Sequence, residues 1–158
     1  MDYKLNSILD KLGIDYELFS HPPVFTCEEA DKYCAGISGA RTKNLFLRDK
    51  NGKRHLLVTT KSTRKVSLAD IEKLSGAKHL SFASEKRLMD HLGVKPGAVS
   101  PLGLVNDSSG QVEVYIDSTL LKSERILLHP NDNTATVIIS SGDFVKFLKS
   151  RKNPFSVF

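Results

Sequence analysis

The chain has no tryptophan, two cysteines, and no apolar run near the ~20 residues that a membrane-spanning helix needs. The lack of tryptophan argues against base stacking on a single strand as the main mode of contact. Cys27 and Cys34 lie seven apart, with no C-x-x-C spacing and no nearby histidine pair. A structural zinc site needs four ligands, so no metal is expected, and the cysteines read as free thiols in a reducing compartment. The first residues, Met1-Asp2-Tyr3-Lys4, lack the basic-then-apolar pattern of a signal peptide, and a cytoplasmic protein is the expectation. G-x-S-x-G, P-loop, G-x-G-x-x-G and H-E-x-x-H motifs are all missing, which leaves the common nucleophile, nucleotide and metalloprotease machineries without support. No cofactor is expected.

What remains is 158 residues, 40% hydrophobic and 26% charged, the balance of one soluble domain spanning 1–158. The formal charge of +5 and a pI near 9.2 favour an anionic partner such as nucleic acid. Lys61, Arg64 and Lys65, with Lys78, Lys86, Arg87 and the basic last helix, form either a phosphate-binding surface or a scattered solvated face.

Periodicity predicts the elements. Leu5, Ile8, Leu9 and Leu12 define a first helix that ends at Gly13, and Tyr16–Ser20 reads as a short strand. Thr26-Cys27-Glu28-Glu29 has the form of a capping box and opens a helix to about Cys34. Thr42–Arg48 and Arg54–Thr60 flank Asn51-Gly52 as a hairpin. Further helices are expected from Ser67, from Ser84 to Leu92, and from Ser141. Strands are expected over 79–83, 102–105, 111–116, 125–128 and 134–139, with one helical turn over 117–121. The order implies an α/β fold: a mixed, mostly antiparallel sheet surrounded by helices.

Three stretches hold candidate chemistry. In Val94–Asp107, Pro96 and Pro101 stiffen the backbone and Gly97 and Gly103 free it. Such a loop presents bare amides to a carbonyl oxygen or phosphate, or simply joins a helix to a strand. Lys43 and Asn44 stand where an apolar strand begins. Strand alternation puts Lys43 with Leu45 and Leu47, either snorkelling at a strand end or facing a pocket. His129-Pro130-Asn131 closes another apolar strand, as a pocket wall, a general base or a plain turn.

His21-Pro22-Pro23-Val24-Phe25-Thr26 with Glu29-Ala30, Thr42–Arg48, Leu80–Ser84, Gly97–Pro101 with Leu104–Asp107, and His129-Pro130-Asn131 occur in family order over nearly the whole chain. As a set they resemble the YbaK/ProX family of aminoacyl-tRNA deacylases, in its stand-alone prolyl-tRNA-editing branch. The resemblance implies hydrolysis of the ester joining a wrong amino acid to a tRNA 3′ end. The expected substrate is alanyl-tRNA(Pro), with cysteinyl-tRNA(Pro) deacylation or a non-catalytic tRNA-binding module as alternatives. Implied partners are mischarged tRNA(Pro) and a prolyl-tRNA synthetase.

The resemblance makes Lys43 the family's placed lysine and Gly97–Pro101 its G-x-x-x-P loop. Lys43 and Gly97 are then the catalytic candidates, with Asn44, Ala98, Val99, Ser100, Pro101, Leu128, His129 and Asn131 as substrate-binding residues and Lys61, Arg64 and Lys65 on the tRNA. Leu128 departs from the methionine often found before the histidine, keeping an apolar wall of similar size.

Overall fold

A computed structural model describes residues 1–158. Its helices are α1 (Tyr3–Lys11), α2 (Cys27–Tyr33), α3 (Leu68–Ser75), α4 (Glu85–Leu92), α5 (Ser118–Leu121) and α6 (Ser141–Ser150). The strands are β1 (Tyr16–Ser20), β2 (Ala40–Arg48), β3 (His55–Lys61), β4 (Ser81–Phe82), β5 (Val112–Ile116), β6 (Arg125–Leu128), β7 (Ala135–Ser140) and β8 (Phe155–Val157). They form one mixed sheet in the order β1-β7-β6-β2-β3-β5-β8, with β4 also on β2. Pairings of β1–β7, β2–β3, β2–β4 and β6–β7 are antiparallel, and β2–β6, β3–β5 and β5–β8 are parallel. The mixed, mostly antiparallel α/β class expected from sequence is the one found.

The helices bury alternate stripes against both faces of this sheet. Leu5 and Leu9 of α1, Leu88 and Leu92 of α4, and Phe144, Phe147 and Leu148 of α6 join Phe46, Leu57 and Val114 in the main core. On the opposite face Ile71 of α3 packs with Leu47, Leu56 and Val58. Alternation along β2 thus sends Phe46 to one core and Leu47 to the other, as strand geometry requires. Burying such a side chain stabilises by ~1.5–3 kcal/mol, so these two clusters set where every loop must begin.

Caps define the helix starts. Asp2 accepts from the Leu5 amide at 2.8 Å, and Thr26 from the Glu29 amide at 3.1 Å. The Glu29 carboxylate reaches back to the Phe25 amide at 2.7 Å, one residue before the cap. The last helix is capped by Ser140, which accepts from Asp143, rather than by Ser141.

One element differs in kind from the expectation. Leu102–Val105 is not a strand but part of a 3₁₀ helix, Pro101–Asn106. Ser100 caps it, accepting from the Leu102 amide at 3.2 Å, and Pro101 takes the first position, where no donor is needed. Four apolar residues carry no period of their own, so the Ser-Pro start decided the conformation. The 79–83 strand is reduced to Ser81–Phe82, and the unassigned tail supplies β8, parallel to β5.

The edge of β2 positions the site. One edge pairs with β3 from Thr42 to Arg48. The other meets β6 at Ala40 and Arg41 and β4 at Leu47 and Arg48. Between those contacts, Lys43 to Leu45 carry no strand partner on that edge. Gly39, at φ +143°, lets the backbone turn into this pairing; a Cβ there would meet Leu127 Cδ1 at 2.5 Å.

Candidate active site

A cavity of ≈ 220 Å³ opens at that bare edge. Its walls are α2, the start of β2, the loop after α4, and the end of β6. Lys43 and Asn44 enter from β2, Gly97 and Val99 from the loop, and Leu128 and His129 from β6 and the turn beyond it. The three stretches read as candidate chemistry, with Lys43 and His129 86 residues apart, therefore meet around one space.

Each contributes an uncommitted polar group. Lys43 is exposed and takes part in none of the ion pairs. Asn44 accepts from the Thr59 hydroxyl at 2.7 Å, which turns its amide hydrogens away from that partner. In the loop the Ala98 amide is occupied by the Lys95 carbonyl at 3.1 Å, whereas those of Gly97 and Val99 bond to no protein group. Gly97 sits at φ +88°, a conformation that strains any residue with a Cβ. A Cβ there would point at the Val24 carbonyl, 3.5 Å away, and at Phe25. Glycine thus keeps the loop's shape and the approach to its amides open.

His129 is largely buried, and that burial pushes its pKa down, aided by His21 and opposed by the Ala135 backbone and Asp132. Its ring is neutral at pH 7, and Nδ1 is buried without a hydrogen-bond partner. Cys27 also lines the cavity. Burial raises its thiol pKa, with Lys43 pulling the other way, so it stays protonated and is a poor nucleophile. No cluster of three or more His, Cys, Asp or Glu side chains is arranged to hold a metal.

The other anticipated residues lie elsewhere. Ser100 and Pro101 are buried as the start of the 3₁₀ helix, and Ala98 packs into the main core. Asn131, at φ +63°, faces an adjoining hollow with Ala98, and its buried Oδ1 is unpartnered. The Arg64 guanidinium pairs with the fully buried Asp117 carboxylate and lies 4.7 Å over the Phe158 ring. Burial disfavours the Asp117 charge, yet amides of Lys61 and Thr119, the Thr119 hydroxyl and Arg64 together hold its pKa below the usual carboxylate range. Lys61 is half-buried near Arg125, and Lys65 is exposed on a polar groove that also contains Lys43.

Several cavity residues had no assigned role: Thr26, Ala30, Asp31 and Cys34 around α2, Arg41 and Thr42 on β2, and Thr136 on β7. Arg41 donates to the Cys34 carbonyl at 2.7 Å, and its Nε lies 2.9 Å from Asp31, which fixes α2 against the sheet. The Thr26–Ala30 stretch was visible as a motif without a function, while Thr136 lies in an ordinary strand sequence.

Residues 21–147 match the aminoacyl-tRNA editing domain. The chain is 43% identical over 147 residues to the prolyl-tRNA editing protein ProX of Acetoanaerobium sticklandii, covering 93% of this chain and 90% of that one. It is 38% identical over 151 residues to mouse prolyl-tRNA synthetase associated domain-containing protein 1, covering 93% and 89%. Its fold superposes with a TM-score of 0.75 on a crystal structure provisionally described as a trans-editing enzyme for prolyl tRNA synthetase. That match has 16% identity and covers 99% of this chain and 97% of that one. With the three stretches gathered on one cavity and the family match spanning them all, the chain belongs to the aminoacyl-tRNA editing domain family, in its YbaK/ProX group of aminoacyl-tRNA deacylases.

Proposed function

We propose that this protein hydrolyses alanyl-tRNA(Pro) in trans, releasing alanine and tRNA(Pro). The observation that carries the reading is the meeting of Lys43, the free Gly97 and Val99 amides and the neutral His129 around one small cavity. At ≈ 220 Å³ it is below the ~300–1,000 Å³ of common small-molecule sites, a size suited to a small aminoacyl group.

Hydrolysis breaks the ester bond between the carbonyl carbon and the ribose oxygen. Water supplies the new C–O bond, and negative charge gathers on the carbonyl oxygen in between. The Gly97 and Val99 amides are preorganised donors for that oxygen. Lys43, a compact cation beside them, binds the carbonyl side or the terminal adenosine phosphate. The Asp31 carboxylate is engaged with Arg41, and His129, largely buried, serves as pocket wall rather than as the group that activates water. The adenosine 2′-OH of the substrate then orients the water. Leu128 and His129 limit side-chain size, and a missing methylene in such a pocket is worth ~1–3 kcal/mol. Lys43 and Lys65 share the groove that leads away from the cavity and carry the backbone of the tRNA end. Lys61 and Arg64 flank it, Arg64 through its stem because its head is paired. The compartment is the cytoplasm, and a prolyl-tRNA synthetase is the partner that supplies the mischarged substrate.

The test is a deacylation assay with alanyl-, cysteinyl- and prolyl-tRNA(Pro) side by side. Rapid loss of alanine with prolyl-tRNA(Pro) left intact supports the reading. Preferred release of cysteine reassigns the substrate, and no release from any of the three rejects an editing enzyme.

A further inference from the structure

Behind the cavity wall lies a hydrogen-bond relay that the proposed chemistry does not use. Thr136, on β7 and 4% exposed, lines the cavity beside Cys34 and His129. Its Oγ1 is 3.0 Å from His21 Nε2 and 3.7 Å from Cys34 Sγ. His21 is itself buried, and its Nδ1 lies 2.8 Å from the Pro22 carbonyl. The ring is stacked on Tyr33, with centroids 5.8 Å apart and planes 11° from parallel, so its orientation is held.

In the neutral form of the His21 ring these contacts fix the direction of each proton. A carbonyl oxygen only accepts, so Nδ1 must carry the hydrogen. Nε2 of the neutral ring is then an acceptor and takes the single hydroxyl hydrogen of Thr136. Oγ1 is left with lone pairs and no proton to give. One lone pair faces the Cys34 thiol, a weak donor, and the other is available to the cavity. Thr136 is therefore a fixed hydrogen-bond acceptor in a cavity that it shares with the apolar Leu127, Leu128 and Val99.

An aminoacyl ester offers few donors to such a site. Its carbonyl and ester oxygens accept, and the alanine methyl does neither. Its α-ammonium group donates whatever the side chain. The carboxylate at this cavity, Asp31, is already engaged by Arg41 at 2.9 Å and so does not compete for that group. An ammonium group is attracted by an oxygen that cannot donate.

We infer that Thr136 receives the α-ammonium group of the aminoacyl ester, with His21 as the positioning residue that turns the Thr136 hydroxyl into an acceptor. This inference rests on the deacylase function proposed above. It makes Thr136 a specificity-determining residue that requires a free amine on the substrate, independent of the side chain.

The test compares alanyl-tRNA(Pro) with N-acetylalanyl-tRNA(Pro) on the full chain, measuring kcat/KM for each. Wild type should prefer the free amine. Thr136→Val should lower kcat/KM for the free amine by about ten- to a hundredfold, the range of one hydrogen bond to a charged group, and largely erase the preference. Thr136→Ser, which keeps the hydroxyl, should restore both. His21→Ala should weaken the preference without abolishing it, since the hydroxyl becomes free to rotate. Circular dichroism and melting of each variant separate loss of fold from loss of recognition.

If Thr136→Val keeps the full preference for the free amine, or if both substrates fall together, the inference is overturned. A changed alanyl-to-cysteinyl ratio with an unchanged amine preference also overturns it, placing Thr136 against the side chain instead. Wild type inactive on all aminoacyl-tRNAs rejects the proposed function and this placement with it.

Discussion

Two regions on the same strand pair treat charge in opposite ways. Lys43 and Thr60 face each other across β2 and β3, one register step from Thr42 and Lys61. On the cavity side the polar groups are left open: Lys43 unpaired, two loop amides unbonded, and His129 Nδ1 without a partner. A few residues away, Asp117 is fully buried and surrounded by the Lys61 and Thr119 amides, the Thr119 hydroxyl and Arg64. Buried polar groups are normally satisfied, so a cluster of unsatisfied ones marks where the molecule expects something else. The satisfied cluster holds β3 to α5 and the chain end; the open one is available to a substrate.

Lys43→Ala would break the comparison most sharply. Deacylation of alanyl-tRNA(Pro) should fall by about 10²- to 10³-fold, the range for losing one preorganised electrostatic contact. The melting temperature should hardly move, because an exposed, unpaired lysine supports little structure. Near-normal turnover would remove Lys43 from the chemistry.

Asp117→Ala tests the other region and should do the reverse. It leaves the Lys61 amide unpaired and the Arg64 charge uncompensated, at a cost of about 3 kcal/mol in urea unfolding. Turnover per folded molecule should stay near wild type. Because its pKa is held below the ordinary value, this carboxylate stabilises the fold above the unfolded-state pKa, and the contribution is lost as pH falls through the folded-state value. The variant should therefore lose less stability than wild type on acidification.

Gly97→Ala belongs between the two regions and has the smallest effect. A Cβ fits the space at ordinary contact distance but strains φ +88°, at about 1–2 kcal/mol. Part of that strain should appear as a slower kcat with KM little changed, as the loop relaxes and its amides shift. A rise in KM alone would show that the loop binds rather than stabilises the developing charge.

The sequence was informative wherever a pattern was local. The periodicity of α1, the alternation of β1 and the Asn51-Gly52 hairpin each lie within a single segment, and the structure has them within a residue or two. The 3₁₀ helix differs from the expected strand because Leu102–Val105 is too short to show a period, although Ser100-Pro101 has the form of a helix start. The three-residue β8 had no pattern to read, and only pairing with β5 orders it. Lys43 stands where an apolar strand begins, His129 where another ends and Gly97 in a proline- and glycine-marked loop, and the family resemblance is what ties the three to one site. Thr136 and Cys34 do not stand out, since a threonine in a strand and a cysteine at a helix end are ordinary. Their place at the cavity arises from the crossing that lays β6 beside β2 and β7 beyond it, which no local spacing encodes.

The brevity of the β2–β6 pairing has a geometric consequence. Two register pairs, Ala40 with Ile126 and Arg41 with Leu127, join the β1-β7-β6 portion of the sheet to the rest, and Gly39 permits their close approach. The sheet thus narrows to a short seam, with the cavity opening beside it. Lys43 stands on one side of that seam, and His129 and Thr136 on the other. In the proposed function a substrate touching all three bridges the seam, and the close approach that Gly39 permits sets the spacing of the groups that meet it.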